Sequence, residues 1–137
     1  MGLGGWISRV LGASSGATSG DCMKRLSSVG DFDEVLARSE REAVFVYKHS
    51  TVCGLSAVAH DRVRAYVGLE GAGSAPVYIV YLREKRSVSD EIADRLGVEH
   101  QSPQLILVKD RHAVWHASHG AINEDAMVQA LAAAVGV

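Results

Sequence analysis

Cysteine is scarce in this sequence. Only Cys22 and Cys53 occur, too few to build a disulfide-held secreted scaffold, and their unlike surroundings argue against a structural pair. A reducing cytoplasm is the expected compartment. Lysine is also scarce, with four in the chain, and the arginines are scattered; a net charge of -2 then argues against a dedicated nucleic-acid surface. No stretch reaches the roughly 18 apolar residues of a membrane span, so no integral membrane association is expected. Met1-Gly2 lacks the serine or threonine that myristoylation needs at position 6, because Trp6 stands there.

What is present is apolar. The chain has 137 residues and is 47% hydrophobic, enough for one domain with a real core. Leu3, Trp6, Ile7, Val10 and Leu11 follow helical spacing, interrupted by Arg9, and predict a short amphipathic helix. Gly12 to Gly20, almost wholly Gly, Ala, Ser and Thr, reads as a linker. Residues 1–20 are therefore expected to form an N-terminal segment and residues 21–137 the domain.

Within the domain, Phe32, Val35 and Leu36 after an acidic start predict a helix ending near Glu40. Ala43 to Tyr47 is an unbroken apolar run, as in a strand covered on both faces. Cys53 opens the next helix, with Leu55, Val58, Ala59, Val63, Tyr66 and Val67 as its inner stripe, and Gly71 to Pro76 ends it. Val77 to Leu82 predicts a second buried strand. Ser87-Val88-Ser89-Asp90 predicts the cap of a helix carrying Val88, Ile92 and Leu96, closed by Gly97. Residues 104–108 and 113–117 form an expected hairpin. Asn123 caps a last helix whose expected inner stripe is Val128, Leu131, Ala132 and Val135. The predicted fold is α/β and thioredoxin-like: a four-stranded mixed sheet flanked by helices, a βαβ–ββα core with an added N-terminal helix.

Cys53 sits in Ser50-Thr51-Val52-Cys53-Gly54-Leu55-Ser56, at a strand-to-helix junction. Backbone N–H groups and the positive end of the helix dipole favour thiolate there. The place of a second cysteine is taken by Ser56, so Cys-x-x-Ser chemistry should be monothiol. Lys48, His49 and His60 are candidates to tune the thiol. Ser102-Pro103, expected in the cis form, would bring the Ser102 backbone beside Cys53 to pair with the peptide-like part of a thiol ligand. With Lys48, Thr51, Gly54 and Ser56 these are the expected ligand-binding residues. Cys22 is a possible resolving thiol. On a strand His112 and His116 share a face, while His119 lies beyond the strand end, so three convergent metal ligands are not expected without further carboxylates. His116 and His119 read instead as edge or site-proximal tuning groups.

With these residues in place, the chain resembles the monothiol bacilliredoxins over about Phe32 to Leu131. The resemblance rests on Val46-Tyr47-Lys48-His49-Ser50-Thr51 leading into Cys53-Gly54-Leu55-Ser56, on His100-Gln101-Ser102-Pro103-Gln104, and on Val114-Trp115-His116-Ala117-Ser118-His119. It implies that Cys53 takes bacillithiol from mixed disulfides on client proteins and is regenerated by a second bacillithiol. Bacillithiol would be a co-substrate, with no permanently bound cofactor. The family usually has Cys-Pro-x-Ser, where this chain has Gly54. Cys-Gly-Leu-Ser is similar to the Cys-Gly-Phe-Ser of monothiol glutaredoxins, which implies an iron–sulfur cluster carrier as the alternative. A non-catalytic stress-linked adaptor is the third reading.

Overall fold

The computed structural model describes residues 23–50, 54–67 and 75–135, with the backbone alone for 54–56. The expected N-terminal helix and linker, Cys22, Thr51 and Cys53 lie outside the described residues. The elements are β1 (Met23–Arg25), α1 (Val29–Arg38), β2 (Val44–His49), α2 (Gly54–Val67), β3 (Val77–Tyr81), α3 (Arg86–Leu96), β4 (Gln104–Lys109), β5 (His112–Ser118), a 3-10 turn (His119–Ala121) and α4 (Glu124–Ala134).

They form one mixed sheet in the order β1-β3-β2-β4-β5. β1, β3 and β2 are parallel; β4 runs antiparallel to β2, and β5 antiparallel to β4, so β5 points the same way as β2. The sheet thus has five strands where four were predicted. The extra strand, Met23-Lys24-Arg25, is short and buries only Met23. Three residues with two exposed charges carry no readable alternation; pairing with Val77–Ile79 is what makes them a strand.

Two cores sandwich the sheet. Val44 and Val46 of β2 join Phe32, Val35, Leu36, Val88 and Ile92 beneath α1 and α3. Phe45 and Tyr47 join Ala59, Val63, Tyr66, Met127 and Leu131 beneath α2 and α4. Phe45 packs edge-on against Tyr66 at 5.3 Å and Trp115 at 6.3 Å. Tyr66 in turn accepts the Ala75 N–H at 2.8 Å, tying the end of α2 to the approach to β3.

Helix caps account for several boundaries. Ser28 and Asn123 accept from Asp31 N–H and Ala126 N–H, closing the open starts of α1 and α4. Gly97 takes the left-handed conformation, φ 66°, that ends α3. The expected Ser87 cap is not used: α3 begins at Arg86, and Lys85 before it makes no side-chain cap bond.

The inner face of α4 is Met127, Ala130 and Leu131, whereas Val128 and Val135 are 45% and 47% exposed. Both registers of this alanine-rich helix are apolar, so spacing alone could not choose between them. Val58 on α2 is likewise 48% exposed.

The β4–β5 hairpin closes through Asp110 and Arg111, with φ 53° and 68°. Positive φ at both central residues defines a type I′ turn, matched to the strand twist. Asp110 N–H donates to Ser39 O at 2.8 Å and Arg111 N–H to Ser39 Oγ at 2.9 Å, so the turn is fastened to the buried end of α1. Arginine is a poor occupant of this backbone conformation, and its ion pair with Glu40 is exposed on both sides. Arg111→Gly should raise the unfolding free energy by about 0.5 kcal/mol, and the β-branched Arg111→Val should lower it by about 1–2 kcal/mol. Urea denaturation checks both; a valine variant as stable as the parent would refute strain at this turn.

Candidate functional site

β2 is longer at its C-terminal end than its apolar run suggests, and the extension carries the chemistry. Lys48 and His49 are both strand residues, so alternation sends them to opposite faces of the sheet. Ser50 follows, itself buried. Cys53 immediately precedes Gly54, where the fourteen-residue α2 begins with no acidic side chain in its first turn. Nothing there opposes the positive end of the helix dipole.

Lys48 points beneath α1 and α3 and is 0% exposed. Its Nζ lies 3.3 Å from His100 Nδ1, which is also 3.3 Å from Ser89 Oγ. Burial is the main cause that lowers the Lys48 ammonium to about 8; Asp90 raises it and Arg86 lowers it further. Burial also lowers His100, helped by Lys48 and Arg86 against Asp90. Gln104 lies directly opposite Lys48 across the β2–β4 pair. Its Nε2 donates to Glu99 O at 2.9 Å, and its buried Oε1 has no partner among the described residues.

His49 points the other way. Its Nδ1 is 3.1 Å from Tyr47 Oη, its ring stacks on His60 at 4.5 Å, and Tyr81 meets it edge-on at 5.6 Å. Burial first, and His60 second, push the His49 imidazole down to about 4. His60 is lowered too, by burial and then Arg64, against Asp61. Both rings are therefore neutral near pH 7.

The Ser102–Pro103 peptide is cis. His119 N–H donates to Pro103 O at 3.1 Å, so the structure brings His119 beside this segment. Ser102 Oγ is buried and lacks a partner among the described residues. Gln104 and Ser118 are paired across β4 and β5, extending the polar row that starts at Lys48.

His112 and His116 do not share a face. A bulge between Leu107 and Val108 pairs them with Trp115 and Ala113, leaving Val114 extra. His112 then pairs with Lys109 and His116 with Ile106, residues of opposite parity on β4. The same bulge lets Ala113 pack beneath α1 and α3 while Trp115 and Ala117 pack beneath α2 and α4. Among the described residues no group of three His, Cys, Asp or Glu side chains is placed to hold a metal.

Lys48 and His49 were legible as candidates near Cys53, but their separation onto two faces was not. His100, Ser89, Tyr47 and Tyr81 join the surroundings only through tertiary packing. The signal for Lys48 was a charge next to an unbroken apolar strand, which implies burial if the strand continues.

A thiol oxidoreductase of the thioredoxin fold is the class this sheet order and strand-to-helix junction define. Comparison with known proteins agrees. A family model described as monothiol bacilliredoxin BrxC matches residues 24–127. The chain belongs to the monothiol bacilliredoxin family. A solved structure described as a candidate oxidoreductase with a thioredoxin fold is 32% identical, with a TM-score of 0.71, covering 80% of this chain and 93% of its own. Thioredoxin from Trypanosoma brucei brucei is 15% identical with a TM-score of 0.66, covering 88% of this chain and 96% of its own. Fasciola hepatica thioredoxin is also 15% identical, with a TM-score of 0.64 and coverage of 81% and 98%. These last two share the fold. Among the described residues no helix is long and apolar enough to cross a membrane.

Proposed function

We propose that the protein removes bacillithiol from mixed disulfides on client proteins in the cytoplasm, with Cys53 as nucleophile and transient carrier. The observation that carries this reading is the position of Cys53 directly before α2, whose first turn holds no acidic side chain. The family membership supports bacillithiol as the small thiol.

In the first step the Cys53 thiolate attacks the bacillithiol sulfur of the mixed disulfide. The new S–S bond forms as the old one breaks, and the client leaves as a thiolate that takes a proton from solvent. A second bacillithiol thiolate then attacks the bacillithiol sulfur held on Cys53. Bacillithiol disulfide leaves and the Cys53 thiolate returns, so the two steps balance without a bound cofactor. Ser56 stands where a dithiol enzyme would carry its resolving cysteine, which makes release depend on the outside thiol.

Intact mass after brief exposure to bacillithiol disulfide, with glutathione disulfide alongside, tests the reading. The expected result is one bacillithiol adduct, on Cys53, formed faster than the glutathione adduct. Equal slow labelling of Cys22 and Cys53 would mean an unactivated thiol and would overturn it.

A further inference from the structure

Arg62 stands outside the apolar stripe of α2 and is exposed, yet it is not simply a solvated charge. Arg38, Arg86, Arg95 and Arg111 each pair with a carboxylate. Arg62 instead donates from Nη1 to two backbone carbonyls, Gly120 O and Ile122 O, each at 3.2 Å. Gly120 lies in the 3-10 turn that follows β5, and Ile122 closes that turn. The two hydrogens of one guanidinium nitrogen are held in a fixed plane, so together they can set the spacing of two carbonyls.

The turn needs to be held from outside. His119 has φ 55°, a backbone region that residues with side chains enter at a cost, and Gly120 after it is free to take other paths. Gly120 and Ala121 are exposed, and the buried Ile122 anchors only the far end. In the observed conformation His119 N–H donates to Pro103 O at 3.1 Å. The place of the turn therefore sets the place of the Ser102–Pro103 backbone.

Pro103 comes directly before Gln104, which pairs with Lys48 near the end of β2. The chain leaves β2 there and reaches α2 at Gly54, directly after Cys53. Arg62 follows about two turns later, about 12 Å along the axis of the same helix. One helix thus begins at Cys53 and grips the turn that holds Pro103. We propose that Arg62 is a positioning residue for the thiol ligand: by clasping Gly120 and Ile122 it keeps His119 N–H on Pro103 O and so fixes the Ser102 backbone that pairs with the amide part of the ligand. The proposal rests on the reading of Cys53 as a carrier and of Ser102 as the backbone partner of its ligand.

The test compares bacillithiol and glutathione disulfides, which carry amide groups, with hydroxyethyl disulfide, which carries none. Adduct formation on Cys53 is followed by intact mass over a range of disulfide concentrations, so no reducing thiol is needed. Arg62→Ala should raise the half-saturating concentration of the two amide-bearing disulfides roughly fivefold to tenfold at an unchanged limiting rate, as expected for a ligand whose backbone partner has loosened. The rate with hydroxyethyl disulfide should stay within about twofold of the parent, because the sulfur exchange itself is untouched. Arg62→Lys, which still reaches one carbonyl, should restore part of the loss. Equal slowing with all three disulfides would make Arg62 a general support of the domain, and no change with any would leave the clasp without effect; either result overturns the proposal. A parent that forms no adduct with any of the three would overturn the carrier reading, and the proposal with it.

A second measurement is independent of sulfur chemistry. Amide hydrogen exchange of His119 should quicken about tenfold in Arg62→Ala, while that of Phe45, whose N–H donates to Pro76 O at the other end of β2, should not change. An unchanged His119 rate would overturn the clasp, and equal quickening at Phe45 would mean a loss of stability throughout the domain and overturn it as well.

Discussion

Cys53→Ser is expected to lower the rate of thiol–disulfide exchange by about three orders of magnitude or more, because no other group in the proposed mechanism can form the mixed disulfide. Serine preserves size and hydrogen bonding but does not ionise near neutral pH, so the loss reports the nucleophile. Cys22→Ser should retain most of the activity. Release of bacillithiol from a labelled client protein, followed by mass, is the direct assay. Retained activity in Cys53→Ser would refute the mechanism. Unchanged client binding in Cys53→Ser without any turnover by the parent would instead favour an adaptor.

The second large effect is a pH dependence of stability that rises through two separate windows. His49 has an unfolded value of 6.5 and is pushed down to about 4 by burial and His60. Between these values the unfolded chain binds a proton that the folded protein refuses, so stability falls as pH drops from 6.5 toward 4. At about 1.4 kcal/mol per unit, the His49 contribution is about 3 kcal/mol. His60 and His100, lowered in the same direction, steepen the same acid limb.

Lys48 acts in the alkaline range. It has an unfolded value of 10.5 and is lowered to about 8, chiefly by burial. Below 8 the folded protein holds a buried ammonium whose hydrogen-bond partner among the described residues is the neutral His100 ring. From 8 to 10.5 the folded protein sheds this proton while the unfolded chain retains it, so stability rises with pH by about 3 kcal/mol from Lys48 alone.

Lys48→Met should accordingly stabilise the protein by about 1–3 kcal/mol at pH 7, since it replaces a buried charge by an apolar chain of similar length. It should also flatten the rise between pH 8 and 10.5, and His49→Gln should flatten part of the acid limb. Urea denaturation at a series of pH values measures each effect. A Lys48→Met variant less stable than the parent at pH 7 would mean that the ammonium is well solvated or paired, against its burial. The expected gain with Lys48→Met would instead mean that the parent keeps a charge at the sheet end at the expense of stability, the usual trade at a working site.

Much of the fold was legible because its signals are local. Apolar runs marked β2, β3 and β4, Asn123 before a helical stripe marked the start of α4, and Gly97 marked a stop that L-residues take reluctantly. What failed did so where two local solutions were equal or where a partner made the difference. The alanine-rich α4 offered two apolar faces, β1 had no pattern of its own, and the β5 bulge reversed the expected relation of His112 and His116.

The sequence by itself determined the βαβ–ββα order, the lone cysteine before a helix and the monothiol Cys-x-x-Ser spacing, because these depend on residues adjacent in the chain. Only the tertiary structure decided that Lys48 is buried against His100 and that His49 lies against His60 and Tyr81. Burial and pairing depend on residues far apart in sequence, and they set the charge of each group around the site.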